Sequence, residues 1–207
     1  MSSAILLGLA FGIRHAVDPD HVATLASLAS RERRTRDAGF LGASWALGHG
    51  ATLAILGILL LALRVSLPDA APRCAEAIAG GLLISLGLVN LARCRARAPR
   101  AKALRGALVR SAGIGLVHGL AGSGAITLVA ISAFPTALAG GTFLAAFSIG
   151  VAASMVGCSL LLGAPFARLQ RDGRAHTFLT TITGAIAVLL GTSLVWSALL
   201  ADASTLS

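Results

Sequence analysis

Six stretches of this chain, roughly residues 3–30, 38–63, 74–92, 111–133, 139–164 and 177–200, each stay apolar for about the 20 residues an α-helix needs to cross a lipid bilayer. In hydrocarbon every backbone N–H and C=O must be satisfied internally, so such a series restricts the chain to membrane helices. Composition agrees, since 56% of the 207 residues are hydrophobic and only 12% are charged, against roughly 25% charged in a soluble domain. The expected fold is all-α, a polytopic membrane helical bundle of six transmembrane helices forming a single domain over residues 1–207. The opening "MSSAILLGLAFGIRH" has neither the basic leader nor the small-residue cleavage site of a signal peptide and is read as a span.

The net charge of +9 does not point to nucleic acid, because the basic residues lie between the apolar stretches, where they orient a membrane protein. Of the seventeen Lys and Arg, four fall in "RERRTRD", seven in "RCRARAPRAKALRGALVR" and three in "RLQRDGR". The alternate connectors hold only Arg64 and Arg73, and Arg14 sits within the first span. The positive-inside rule then puts the three basic connectors in the cytoplasm and both termini outside a cell membrane. The partners implied are the lipid bilayer and whatever the spans enclose. Cys74, Cys94 and Cys158 form no CxxC and read as incidental thiols.

An internal repeat organises the chain. An offset of 103 residues sets "GIRHAVDPDHVATL" over "GLVHGLAGSGAITL", aligning Gly12 with Gly115, His15 with His118, and Thr24-Leu25 with Thr127-Leu128. The half-repeats run over about 1–92 and 111–207, joined by a basic linker at 93–110. With three spans in each half, the second lies upside down relative to the first, the 3+3 inverted repeat of secondary transporters. Gly8 with Gly12, and Gly115 with Gly119, are small-xxx-small pairs that let helices approach closely. Packing of the first span on the fourth through these pairs would bring His15 near His118.

The first span carries "RHAVDPDH" at its centre. Each Asp or Arg there costs on the order of 2.5–3.5 kcal/mol, which packing alone rarely offsets. Pro19 removes a backbone donor and disfavours helical geometry at Asp18, so the first helix is expected to break across "VDPD". Broken helices within a membrane are where transporters hold ions. On an unbroken helix His15 and Asp18 share a face, and a break at Pro19 can gather Asp20 and His21 as well. The next span adds His49 in "SWALGHGATL", and the repeat adds His118. The fifth histidine, His176, falls in a basic connector and reads as inert. Neutral imidazole with carboxylate suits a borderline divalent transition metal such as nickel, cobalt or zinc. Copper(I) would call for thiolates, and magnesium for an oxygen-rich site.

The run from Arg14 to His21 resembles the signature of the nickel/cobalt transporter family (NiCoT): a histidine, four residues, then Asp-His, usually with alanine where this chain has Pro19. "LGHG", Leu47 to Gly50, is similar to that family's second histidine motif. "GLVHGLAGSGA", Gly115 to Ala125, resembles the short branch of urease-accessory membrane proteins of the UreH type. Family members typically have eight spans where this chain has room for six. The resemblance implies a metal site of His15, Asp18, Asp20 and His21 with His49 alongside. The repeat extends that set to His118, after which Ser123 and Thr127 sit where they could supply weak oxygen contacts, although small hydroxyls in membrane helices more often bond their own backbone. It further implies a Ni²⁺ or Co²⁺ permease serving metalloenzyme maturation such as that of urease, not an enzyme, with no cofactor beyond the transported ion.

Two other functions fit the same ligand types. An exporter would work against an inside-negative potential, which at 100 mV favours entry of a dication by about 4.6 kcal/mol. It would need a coupled ion, yet outside the polar run no carboxylate lies deep in a span, Glu76 being near an outer end. An intramembrane zinc hydrolase would need a further buried carboxylate as general base. A thiol-redox conduit would need two facing cysteines within the membrane, and only Cys158 lies well inside a span.

Overall fold

The computed structural model describes the chain except residues 1, 64–69, 97–103, 120–133, 135, 170–171 and 204–207. Among the described residues there are seven helices and no strand: α1 (Ser2–Ala16), α2 (Pro19–Ala29), α3 (Thr35–Leu63), α4 (Ala70–Ala96), α5 (Leu104–His118), α6 (Ala137–Arg168) and α7 (Gly173–Ala203). Four of them, α3, α4, α6 and α7, are long and apolar enough to cross a membrane, and α1 is a shorter apolar helix. The described residues are thus all-helical and fit a multi-pass helical membrane protein.

The first predicted span is two helices, broken where Pro19 requires it. Asp18 has φ −59° and ψ 141°, an extended conformation that the following proline favours. Pro19 then occupies the first position of α2, where its missing N–H leaves nothing unsatisfied. The Asp18 carbonyl accepts from His21 and Val22 at 3.0 Å each, so the new helix starts at once.

Other boundaries moved from the sequence expectation. α4 runs on to Ala96 and α5 begins at Leu104, so helix takes up both ends of the basic linker. Alanine and arginine are strong helix formers and continue a helix beyond the apolar region. α7 begins at Gly173 because Asp172 caps it, its Oδ1 accepting from the N–H groups of Arg174 and Ala175 at 3.0 Å. His176 is therefore on a helix, buried and edge-on to Phe166, with ring centroids 6.0 Å apart. The second half of the predicted span 111–133, with Ser123 and Thr127, lies outside the described residues.

The glycine pairs pack differently from the expectation that the first and fourth spans meet through them. Gly8 lies against the Phe143 carbonyl and Gly12 against that of Phe147, so α1 runs parallel to α6. Gly115 lies against the Trp45 carbonyl and Gly119 against that of His49, so α5 runs parallel to α3. The two interfaces share one construction, since Gly150 of α6 meets the Leu9 carbonyl just as Gly48 of α3 meets that of Ala112. α4 and α7 pack antiparallel through reciprocal glycine contacts, Gly80 with Gly191 and Gly87 with Gly184. The core between α1, α2, α3 and α6 is built on Leu25, Leu41, Trp45, Phe143, Phe147 and Met155, each at most 3% exposed.

Candidate metal centre

His15 is the last residue but one of α1 and His21 is the third residue of α2, so the break brings the two rings together. His49 comes from the middle of α3, and His118 ends α5. All four histidines are at most 5% exposed. The ring centroids of His15 and His21 are 4.6 Å apart, those of His21 and His49 5.2 Å, and those of His21 and His118 4.8 Å.

The polar contacts divide into two groups that share His21. In the first, Nε2 of His15 and Nε2 of His49 are 2.9 Å apart, and His15, His21 and His49 each offer a ring nitrogen within 4.8 Å of the others. In the second, Asp20 uses both oxygens: Oδ1 is 2.9 Å from His21 Nδ1 and Oδ2 is 3.0 Å from His118 Nε2. A carboxylate held in this way fixes the tautomer of His21, with Nδ1–H donating to Asp20 and Nε2 left as a lone-pair donor. Among the described residues that Nε2 is buried without a partner, as are His49 Nδ1 and His118 Nδ1. An unsatisfied buried polar atom costs about 1–3 kcal/mol, and three in one cluster mark a place built to receive something. Asp18 caps α2 without a side-chain hydrogen bond, and its Oδ2 lies 3.6 Å from His15 Nδ1.

All six residues singled out from the sequence thus meet at one place. Among the described residues Arg14 is exposed and makes no ion pair with Asp18 or Asp20. Sequence reasoning overlooked Trp45. Its ring stacks on His49 at 5.0 Å with 13° between the planes and stands edge-on to His21 at 5.2 Å. The signal was its position four residues before His49, on the same helix face. Phe147 closes the other side at 5.4 Å from His15. Both rings are themselves buried and pack the imidazoles into the core.

Fold and centre define a class: a helical membrane protein with a buried histidine–aspartate cluster at a broken helix. Over 202 residues the chain is 27% identical to the urease accessory protein UreH of Bacillus sp. (strain TB-90), covering 91% of this chain and 89% of that relative. The UreH-type resemblance read from the single stretch Gly115 to Ala125 is thus joined by similarity along nearly the whole sequence. No family model and no solved structure matches the chain.

Proposed function

We propose that this protein is a permease that moves Ni²⁺, or Co²⁺, across the cell membrane, most readily inward, for metalloenzyme maturation such as that of urease. The observation that carries the reading is the unpartnered Nε2 of His21 facing the His15–His49 pair inside the bundle. His15, His21 and His49 would bind the ion, with Asp18 beside His15. Asp20 and His118 would hold His21 and neutralise part of the charge. Neutral imidazoles with a carboxylate suit a borderline divalent transition metal of the nickel and cobalt kind. The protein is not an enzyme, for its similarity over 91% of the chain is to an accessory protein.

The working architecture is one transport domain over residues 1–207 with six crossings in two inverted halves of three. The interchangeable glycine contacts of α1–α6 and α3–α5, and the reciprocal ones of α4–α7, support it. So does the relation of α1 to α2. α1 runs opposite to α3 and ends level with its middle, and Ala29 of α2 lies with Ala38, near the start of α3, around Gly163.

Three measurements test this reading. Purified protein in sealed vesicles should accumulate Ni²⁺ or Co²⁺ in preference to Zn²⁺ and Mn²⁺ under an inside-negative potential; metal-independent vesicle behaviour would remove the permease. Replacing His118 by alanine should lower Ni²⁺ affinity by about 10- to 100-fold, the usual effect of losing a group that orients a ligand. Unchanged affinity with lowered thermal stability would reduce His118 to packing. In a chain whose Cys74, Cys94 and Cys158 are serine, Ala101→Cys should react with an impermeant thiol reagent only after cells are opened. Reaction in intact cells would reverse the topology and put the termini inside.

A further inference from the structure

Beyond the metal centre, α2 carries a second polar feature. Asp20, Thr24 and Ser27 follow at intervals of four and three residues and so share one face of α2, and Arg31 comes four residues later, in the turn just past the end of the helix. Thr24 and Ser27 are 0% exposed, and neither hydroxyl has a partner among the described residues. Among the described helices only Ser159 of α6 shares this lack, and other hydroxyls behave differently. Thr142, Ser148, Thr183 and Thr192 each donate to the carbonyl four residues before them at 2.7–2.9 Å. That is the ordinary habit of Ser and Thr in apolar helices. Two buried hydroxyls that decline it, one turn apart and leading away from Asp20, keep their oxygen lone pairs open for a ligand or water.

The stripe ends on a built contact. Arg31 Nε donates to Asn90 Oδ1 at 3.0 Å, and Asn90 Nδ2 donates to the Ser27 carbonyl at 3.3 Å. Asn90 is 1% exposed, and Nη2 of Arg31 is buried without a partner among the described residues. Burial, then Arg93 and Arg110, push the Arg31 guanidinium down to about 10. It is therefore cationic at neutral pH and repels a dication arriving along the stripe.

We propose that this face of α2 is the inner half of the ion's route, with Thr24 and Ser27 as oxygen stepping points and the Arg31–Asn90 pair as its inner gate. The proposal rests on the permease reading and adds to it where the ion goes after His21. A partly hydrated dication leaving the imidazoles meets hydroxyl oxygens one turn and then two turns on. It passes only when Arg31 swings from Asn90, which keeps the route closed to small cations between turnovers.

The test uses full-length protein in vesicles, with Ni²⁺ alone as probe, reading Ni²⁺ binding and Ni²⁺ flux on the same preparations. Thr24→Val with Ser27→Ala removes both hydroxyls and little volume. It should leave Ni²⁺ affinity within about twofold of wild type and slow flux about tenfold or more, as losing path oxygens raises a barrier. Thr24→Ser with Ser27→Thr keeps the hydroxyls and should restore flux, which a purely packing role would not do. Arg31→Gln should raise passive Ni²⁺ leak at zero potential several-fold, again with binding unchanged. Wild-type flux in the hydroxyl-free variant, or wild-type leak in Arg31→Gln, would overturn the route while leaving the permease standing. A wild type that binds Ni²⁺ but moves none would overturn both.

Discussion

Replacing His21 by alanine is expected to abolish Ni²⁺ binding and accumulation while the protein still inserts and is expressed. This ring belongs to both polar groups of the centre, offering Nε2 toward His15 and His49 and receiving Asp20 at Nδ1. Its loss removes a ligand and leaves Asp20 with His118 alone. His15→Ala should do nearly as much, since it breaks the 2.9 Å pair with His49. Asp20→Asn is milder in bulk but is expected to lower affinity about 10- to 100-fold, because an amide fixes the His21 tautomer poorly. Isothermal titration with Ni²⁺ and vesicle uptake check all three. Near-normal uptake in any two of them would remove this cluster as the site.

The second large effect falls on a residue with no polar group. Gly115→Ala would drive a methyl into the Trp45 carbonyl, with the His49 backbone nitrogen close behind. Backbone cannot step aside as a side-chain tip can, so α5 must separate from α3, at about 1–3 kcal/mol for overpacking. The same separation pulls His118 from Asp20 and tilts the Trp45–His49 stack, so stability and Ni²⁺ affinity should fall together. Gly12→Ala, pressing on the Phe147 carbonyl, should act alike at the α1–α6 contact. Gly113, where an added methyl would meet nothing within 4 Å among the described residues, is the control and should tolerate alanine. Thermal unfolding in detergent decides the matter. Gly115→Ala as stable as Gly113→Ala would mean that the helices are not held at this distance.

Both predictions also bear on how two functions with the same ligand types differ. A zinc hydrolase would need a carboxylate free of the imidazoles beside the centre. Of the two aspartates there, Asp20 is held at both oxygens and Asp18 faces His15. Glu76 accepts from Ser197 at 3.0 Å on an exposed surface, away from the cluster.

What the sequence determined by itself is local. Hydropathy over about 20 residues is a property of a segment, so the membrane class and the long helices were legible before any contact was known. So was the break in the first helix, because Pro19 constrains Asp18 whatever surrounds it. The histidines stood out because imidazoles buried in apolar helices need a reason. Which of them meet was a different matter. His15 and His49 are 34 residues apart and Asp20 and His118 are 98 apart, so their pairing depends on which helix each glycine face accepts as neighbour. Gly8, Gly12, Gly115 and Gly119 advertised close packing, but a glycine face has no side chain to specify its partner; shape complementarity across the whole bundle chose α6 and α3. Trp45 as the wall of the centre, Asp20 as the bridge between two histidines, and the unsatisfied hydroxyls of Thr24 and Ser27 were likewise decided by tertiary structure, since a side chain's partners, or lack of them, exist only once the helices have packed.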